Sequence, residues 1–210
     1  MSLRMRAFLF DIDGTLVDSS VSIERVWRQV AREFDVDEAE ILLKCHGRRD
    51  IDMAQEFFAP ESRDAVLARV NILDTAFVNG AVPVRGAKQL LATLDHRFWA
   101  AVTSGPRLLM TARLQTAGLP VPQVLITGDD VRYGKPHPEG FFLAAKALGM
   151  SPTSCVVVED SPPGVAAGKA AGALVVALTT THSADALTAA DIIVSDLSEL
   201  PGIIPEHDVS

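Results

Sequence analysis

Short apolar runs, separated by stretches with helical spacing, make up most of the chain outside residues 17–81. These runs are rich in branched side chains and short, which is typical of strands buried on both faces of a parallel sheet. They are AFLF (7–10), WAAVTS (99–104), QVLIT (123–127), CVVVED (155–160), LVVALT (174–179) and DIIVS (191–195). The intervening segments AKQLLATL, RLLMTARLQTAG, EGFFLAAKALG, GVAAGKAAGA and ADALTAA are predicted to be helices. This alternation predicts an α/β fold, a Rossmann-like parallel sheet with helices on both faces.

Residues 17–81 break this alternation and show only helical patterns. A stripe of apolar residues at helical spacing follows the capping candidates Asp18, Ser19 and Ser20, and further helices are predicted around AEILLKC, IDMAQEFF and RDAVLARVNILDTAFVNG. We therefore predict a core domain of residues 1–16 and 82–210, with a small all-helical cap domain of residues 17–81 inserted after the first strand. Two interpretations stay open: a lid that closes over a substrate, or a helical decoration without a catalytic part.

Composition narrows the possible partners. The 210 residues are 48% hydrophobic with a formal charge of −8, and the mean hydropathy is +0.22 with a pI near 5.1. Long-range repulsion argues against binding to nucleic acid or to an anionic membrane, and a small anionic substrate would need a local positive site. Cys45 and Cys155 lack metal-ligand spacing and are predicted to be buried apolar residues. With only two cysteines, a reducing cytosol is the simplest compartment, so we expect a cytoplasmic protein. No apolar segment is long enough to span a bilayer, and a monomer is the default expectation.

The stretch FLFDIDGTLVDSS places Asp11 and Asp13 at the end of the first predicted strand. Residues two apart in an extended chain point the same way, so both carboxylates can reach one cavity at the sheet edge. Two close carboxylates repel unless a proton or a cation separates them, and Mg²⁺ suits carboxylate, water and phosphate oxygens. A polar turn without a ligand is the competing interpretation of this motif.

Polar residues also follow three later strands. Thr103 and Ser104 lie in TSG, Lys135 in a Gly-Lys-Pro turn, and Glu159 and Asp160 in EDSPPG. Each alone is typical of a cap, a solvated charge or a turn. The carboxyl ends of parallel strands meet at one edge of the sheet, however, so a single cavity is expected to collect all of them. Together they would supply a nucleophile, an acid, an anion clamp and metal ligands.

In order and spacing these motifs resemble the haloacid dehalogenase superfamily, in the branch that carries a helical cap after its first motif. DIDGT is similar to the first motif, AVTSG to the second, the lysine of YGKPHPEGF to the third and VVVEDSPPGVAAGKAAG to the fourth. The resemblance covers nearly the whole chain and implies a phosphotransferase.

The resemblance also implies residue roles. Asp11 would be the nucleophile and Asp13 the general acid and base, while Thr103, Ser104 and Lys135 would bind the phosphate group. Carboxylate chemistry suits this division, since an aspartyl phosphate splits one difficult displacement into two easier ones.

A Mg²⁺ ion is implied by the same resemblance. Asp160, the Asp11 side chain and the Asp13 backbone carbonyl would hold it, with Glu159 in support. The ion and Lys135 would offset charge on the transferring phosphoryl group.

The leaving group is expected to meet the cap loop CHGRRDID. His46, Arg48 and Arg49 are candidates for binding sugar hydroxyls or a second anionic group, with a solvated connecting loop as the competing interpretation. The first two motifs and the tail ALTTTHSADAL resemble those of phosphatases that act on small sugar phosphates and sugar-alcohol phosphates. Three alternatives stay open: a β-phosphoglucomutase, a phosphoglycolate phosphatase and, from another class, a signalling receiver domain.

Overall fold

Eight strands lie within residues 7–203, the part of the chain that the computed structural model describes. They are β1 (Ala7–Phe10), β2 (Val17–Asp18), β3 (Val82–Pro83), β4 (Trp99–Val102), β5 (Leu125–Ile126), β6 (Cys155–Glu159), β7 (Leu174–Leu178) and β8 (Ile192–Val194). Six form one sheet in the order β5-β4-β1-β6-β7-β8, and each neighbouring pair is parallel. This is a doubly wound order, in which the direction of winding reverses between β1 and β6. The predicted parallel sheet is confirmed.

Helices cover both faces of this sheet. Those in the described residues are α1 (Ser20–Glu33), α2 (Glu38–Leu42), α3 (Asp50–Phe57), α4 (Arg63–Phe77), α5 (Ala87–Thr93), α6 (Arg107–Thr116), α7 (Glu139–Ala147), α8 (Pro162–Ala170) and α9 (Leu200–Ile203). Phe8 and Phe10 of β1 pack in a core with α5 and α6. Ala7 and Leu9, which point to the other face, pack in a second core with α7 and α8. Alternate residues of one central strand therefore serve two hydrophobic layers.

One predicted helix is wrong. The segment ADALTAA contains only a short 3₁₀ turn, Ala184–Leu187, in which Leu187 alone is buried. Seven residues give fewer than two helical turns, and a helix this short needs tertiary packing to form. With one buried side chain, that packing is absent here.

The inserted helices α1 to α4 have a hydrophobic core of their own. Val26, Trp27, Val30, Met53 and Val70 are among its buried members. The insertion begins and ends beside a two-residue antiparallel ribbon, in which Val17 pairs with Pro83 and Asp18 with Val82. The all-helical insertion after the first strand is thus observed, while its boundaries at residues 17 and 81 stay a prediction.

Two simpler expectations concern single features of the described residues. No helix there combines the length and the apolar character needed to cross a bilayer. Cys45 and Cys155 are both buried free thiols, as predicted. Burial raises the pKa of both thiols, to about 12 and about 11, so neither is a reactive thiolate near neutral pH.

Candidate active site

The predicted site residues meet at the carboxyl edge of the sheet. Asp11, Thr103 and Asp160 directly follow β1, β4 and β6, which are neighbours in the sheet. The Asp11 amide donates to the Val158 carbonyl and the Thr103 amide to the Ile126 carbonyl, each at 2.9 Å. These backbone bonds extend the strand pairing by one residue, so the adjoining side chains are held by the sheet.

Lys135 joins the carboxylates of two neighbouring strands. Its Nζ lies 2.5 Å from Asp11 Oδ1 and 2.5 Å from Glu159 Oε1, and it also donates to the Val102 carbonyl at 3.2 Å. All three ionic side chains are buried. Despite that burial, the two carboxylates hold the pKa of Lys135 above its usual range. The lysine is therefore a fixed positive charge beside Asp11, as an anion clamp requires.

Asp11, Glu159 and Asp160 form a compact acidic cluster. One carboxylate oxygen of each lies within 4.8 Å of the others. Burial, and then the charge of Glu159, raises the pKa of Asp160 to about 8, and burial raises that of Asp11 well above its usual range. Three buried carboxylates share one ammonium group, so the cluster is short of positive charge. Their hard oxygen atoms suit a divalent cation, and this chain's donor set fits one.

The second oxygen of Glu159 is anchored on the protein itself. Glu159 Oε2 accepts hydrogen bonds from the Asp160 amide, the Ser161 amide and the Ser161 hydroxyl, at 3.0, 3.3 and 2.9 Å. Asp160 Oδ1 accepts from the Thr15 hydroxyl at 3.2 Å. This arrangement fits the supporting role expected for Glu159 and the ligand role expected for Asp160.

Gly14 lets the first loop pass close to the acidic cluster. Its φ is +84°, and a Cβ on this residue would lie 2.2 Å from Asp160 Oδ2. A side chain would therefore need both a strained backbone and a displaced Asp160. The glycine of DIDGT is explained by this close approach.

Asp13 is held from two sides by donors. Ser19 Oγ donates to Asp13 Oδ1 at 2.6 Å, and Arg113 donates through one guanidinium nitrogen to Asp13 Oδ2 at 2.7 Å. Two hydrogen bonds on different oxygens fix the orientation of this carboxylate. Arg113 was not predicted to belong to the site, although a signal existed: with Met110 and Leu114 it lies on the buried stripe of α6.

Arg113 also links the core to the helical insertion. A second guanidinium nitrogen donates to Asp74 Oδ1 in α4 at 2.9 Å. Asp50, the first residue of α3, lies close enough for the charges of Asp74 and Arg113 to act on it. Burial raises the pKa of Asp74 to about 6, and burial with the neighbouring Asp74 raises that of Asp50 to about 7. Neither carboxylate was predicted to belong to the site.

Replacing Asp50 by asparagine is expected to stabilise the protein more at pH 8 than at pH 5. The folded pKa of Asp50 is raised from 3.8 to about 7, so the folded form keeps a proton that the unfolded chain loses. That contribution is complete below about pH 4 and is lost as the pH rises through about 7. We expect the gain in free energy of unfolding to be about 1 to 2 kcal/mol larger at pH 8. Urea denaturation of both proteins at the two pH values measures this difference. Equal gains in free energy of unfolding at pH 5 and pH 8 would contradict the raised pKa of Asp50.

Thr103 and Ser104 have different partners. The Thr103 hydroxyl donates to Met110 Sδ at 3.1 Å and accepts from the Gly105 amide at 3.2 Å. The Ser104 hydroxyl instead donates to the Gly47 carbonyl of the insertion at 2.9 Å. Both residues line the same cavity as Asp11. The Thr103 hydroxyl lies where it could bind a phosphate group. The Ser104 hydroxyl instead contacts the cap loop.

The three candidate residues of the cap loop, His46, Arg48 and Arg49, contact different parts of the protein. Arg48 lines the cavity in front of Asp11 and forms an ion pair with Glu56 at 2.7 Å. Arg49 turns to both oxygens of Asp52, at 2.8 Å each, and to the carbonyls of residues 131 and 132 at 3.2 and 3.3 Å. His46 packs edge-on against His182, with ring centroids 5.9 Å apart. Arg48 is thus the one of the three that faces this cavity, and the substrate contacts of all three stay predictions.

The cavity in front of Asp11 is narrow. It has a volume of about 40 Å³, and Asp13, Thr103 and Arg113 also line it. Gly47 closes tightly on the core, because a Cβ there would lie 2.2 Å from Ser161 Oγ. The insertion is therefore closed over the edge of the sheet.

The fold and this site define an α/β enzyme with a buried carboxylate, lysine and acidic cluster under a helical cap. The chain belongs to the haloacid dehalogenase-like hydrolase family, whose model matches residues 5–172. The predicted family is thereby confirmed.

Individual relatives extend this result. The chain is 37% identical to hexitol phosphatase A of Escherichia coli over 203 residues, covering 94% of each chain. It is 39% identical to validoxylamine A 7'-phosphate phosphatase of Streptomyces hygroscopicus over 200 residues, covering 91% of this chain and 94% of the relative. A β-phosphoglucomutase structure from Clostridium difficile superposes with a TM-score of 0.83 at 19% identity, covering 93% of both chains. At that identity, the likeness shows the fold alone.

Proposed function

We propose that this protein is a Mg²⁺-dependent phosphatase that hydrolyses small sugar phosphates or sugar-alcohol phosphates through an aspartyl phosphate. One observation carries the proposal: Asp11 is 3% exposed and lies at the end of a narrow cavity, beside the buried ammonium group of Lys135. A buried carboxylate beside a fixed ammonium group is placed to attack an anionic phosphoryl group that enters this cavity. Membership of a hydrolase family and the named activities of two relatives support the same class of reaction.

The first half-reaction uses Asp11 and Asp13. An oxygen of Asp11 attacks phosphorus, the bond from phosphorus to the leaving oxygen breaks, and Asp13 gives its proton to that oxygen. Lys135 neutralises charge beside the attacking carboxylate. Arg113 and Ser19, the donors to Asp13, hold its carboxylate toward the cavity.

The second half-reaction regenerates the enzyme. Asp13 takes a proton from a water molecule as that water attacks phosphorus, the bond from phosphorus to Asp11 breaks, and inorganic phosphate leaves. A Mg²⁺ ion on Asp11, Asp160 and the Asp13 carbonyl, when bound, supplies the positive charge that the acidic cluster lacks. The closed helical insertion excludes bulk water from this chemistry.

The proposed substrate class rests on the relatives. Hexitol phosphatase A and validoxylamine A 7'-phosphate phosphatase are named for polyhydroxylated compounds that carry a phosphate. A β-phosphoglucomutase activity is the main alternative, and phosphoglycolate hydrolysis is a further one. A receiver domain fits poorly, because it has no counterpart of the helical insertion or of Asp13. The monomeric state and the cytoplasmic location stay predictions.

A substrate panel tests the proposal. Sorbitol 6-phosphate, 2-deoxyglucose 6-phosphate, glycerol 1-phosphate, β-glucose 1-phosphate and phosphoglycolate would be incubated with the protein and Mg²⁺, and free phosphate measured. We expect phosphate release to be fastest from a hexitol or hexose phosphate. Conversion of β-glucose 1-phosphate to glucose 6-phosphate without phosphate release would establish the mutase instead.

Removal of the metal is expected to stop the reaction. Chelation by EDTA should lower the rate at least about 10²-fold, because the acidic cluster then repels the phosphate dianion. Added Mg²⁺ should restore the rate, and a thermal shift on Mg²⁺ addition should be seen in the absence of substrate. Unchanged activity in excess EDTA would contradict the metal's role.

A further inference from the structure

Two spaces adjoin each other at the boundary between the insertion and the sheet domain. The inner cavity of about 40 Å³ contains Asp11, and a groove of about 710 Å³ lies beside it. Asp50 and Asp74 line both spaces. A leaving group that extends from the inner cavity into the groove therefore passes these two carboxylates.

At the junction of the inner cavity and the groove, carboxylates outnumber unpaired cations. Arg113 is the basic residue between them, and its guanidinium already binds Asp13 at 2.7 Å and Asp74 at 2.9 Å. Asp50 adds a carboxylate next to this pair, and Asp129 adds another along the groove. At pH 8, above the raised pKa values of Asp74 (about 6) and Asp50 (about 7), both groups are carboxylates, and the one guanidinium beside them leaves the junction negative.

Arg48 and Arg49 of the cap loop do not neutralise this excess of negative charge. Arg48 lines the inner cavity but is paired with Glu56 at 2.7 Å. Arg49 lines the groove but is paired with Asp52 at 2.8 Å. Within residues 7–203, each arginine that lines either space is thus held by a carboxylate, and no lysine lines them.

From this arrangement we infer that Asp50 and Asp74 select leaving groups that carry hydroxyls and no second anionic group. The inference rests on the proposed function and narrows it to monophosphates of neutral sugars and polyols. Carboxylate oxygens accept hydrogen bonds from hydroxyl groups, which compensates their loss of water. A second phosphate at the same place meets like charge without a free cation, and this is a repulsive element of the kind that gives specificity.

Asp50 and Asp74 also act against a mutase reaction. Transfer from the aspartyl phosphate to a second sugar hydroxyl would break the bond between Asp11 and phosphorus and form a new oxygen–phosphorus bond. The hydroxyl proton would pass to Asp13, and the product would be a bisphosphate held in the site. Because Asp50 and Asp74 repel that product, hydrolysis by water is favoured over transfer.

A matched pair of ligands tests the selection. Glucose 6-phosphate and glucose 1,6-bisphosphate differ by one phosphate group, and both would be measured at pH 8, where Asp50 and Asp74 are ionised, as substrates and as inhibitors of p-nitrophenyl phosphate hydrolysis. We expect the wild type to prefer the monophosphate by about 10²-fold in either measurement. Asp50→Asn should reduce this preference about tenfold, and Asp74→Asn should also reduce it.

Asp64→Asn is the control, since Asp64 is exposed on α4 and lines neither space. Its preference should equal that of the wild type. Equal inhibition by the two ligands, or a preference that Asp50→Asn and Asp74→Asn both leave unchanged, would overturn the inference. If neither glucose phosphate is hydrolysed, the substrate panel still decides the proposed function, and the inhibition ratio decides whether the carboxylates select by charge.

Discussion

Replacement of Asp11 by asparagine is expected to reduce phosphatase turnover on the order of 10⁴-fold to 10⁶-fold. The amide is a poor nucleophile, and no other described carboxylate can take over, because Asp160 and Glu159 are held by their own hydrogen bonds. Folding should survive, since the amide keeps the size of the side chain and relieves repulsion from two neighbouring carboxylates. Steady-state phosphate release measures the loss.

Asp64→Asn makes the same chemical change at an exposed position of α4 and should retain full activity. The asparagine variant at position 11 should still unfold cooperatively, which separates loss of chemistry from loss of fold. Retention of more than about a tenth of the activity by Asp11→Asn, against the predicted loss, would mean that another group attacks phosphorus.

Replacement of Lys135 by methionine is expected to damage both activity and stability. Asp11, Glu159 and Asp160 would lose the one ammonium group among them. Removing one partner of a buried ion pair costs about 3 to 5 kcal/mol, and loss of the anion clamp should lower kcat/KM on the order of 10³-fold. Chemical denaturation and substrate kinetics measure the two effects separately.

The loss of stability in Lys135→Met should depend on pH and on metal. Lys135 lowers the pKa of both Asp11 and Asp160, so without it these carboxyl groups keep a proton to higher pH, and at low pH that proton replaces the missing ammonium charge. The destabilisation should therefore be smaller at pH 6 than at pH 8, and Mg²⁺ should reduce it at pH 8. Lys88→Met, at an exposed residue of α5, serves as the control. A pH-independent effect would contradict the electrostatic role.

Much of the site was predictable because parallel strands impose it. Asp11, Thr103 and Asp160 each follow an apolar run, and the sheet aligns the ends of those runs. Lys135 was predicted from a motif, yet its place beside Asp11 depends on the loop after β5 reaching across two strands. Local sequence patterns therefore predicted residues that the fold brings together, and strand pairing explains their proximity.

The missed residues depend on tertiary contacts that no local pattern contains. Arg113 and Asp13 are 100 positions apart, and Arg113 and Asp74 are 39 apart. The pairing of Arg113 with Asp74 requires the insertion to pack against α6, which hydrophobic periodicity does not specify. The ribbon of Val17–Asp18 with Val82–Pro83 was missed because two-residue strands show no alternation.

The covalent role of Asp11 is tested most directly by trapping the intermediate in the Asp13→Asn variant. p-Nitrophenyl phosphate is the substrate of choice, because its leaving group departs without a proton while the second step still needs Asp13 to activate water. We expect a burst of about one p-nitrophenolate per active site, followed by slow turnover. Peptide mass spectrometry after an acid quench should then find the phosphoryl group on Asp11. An unphosphorylated Asp11, in a variant that still turns the substrate over, would contradict the account.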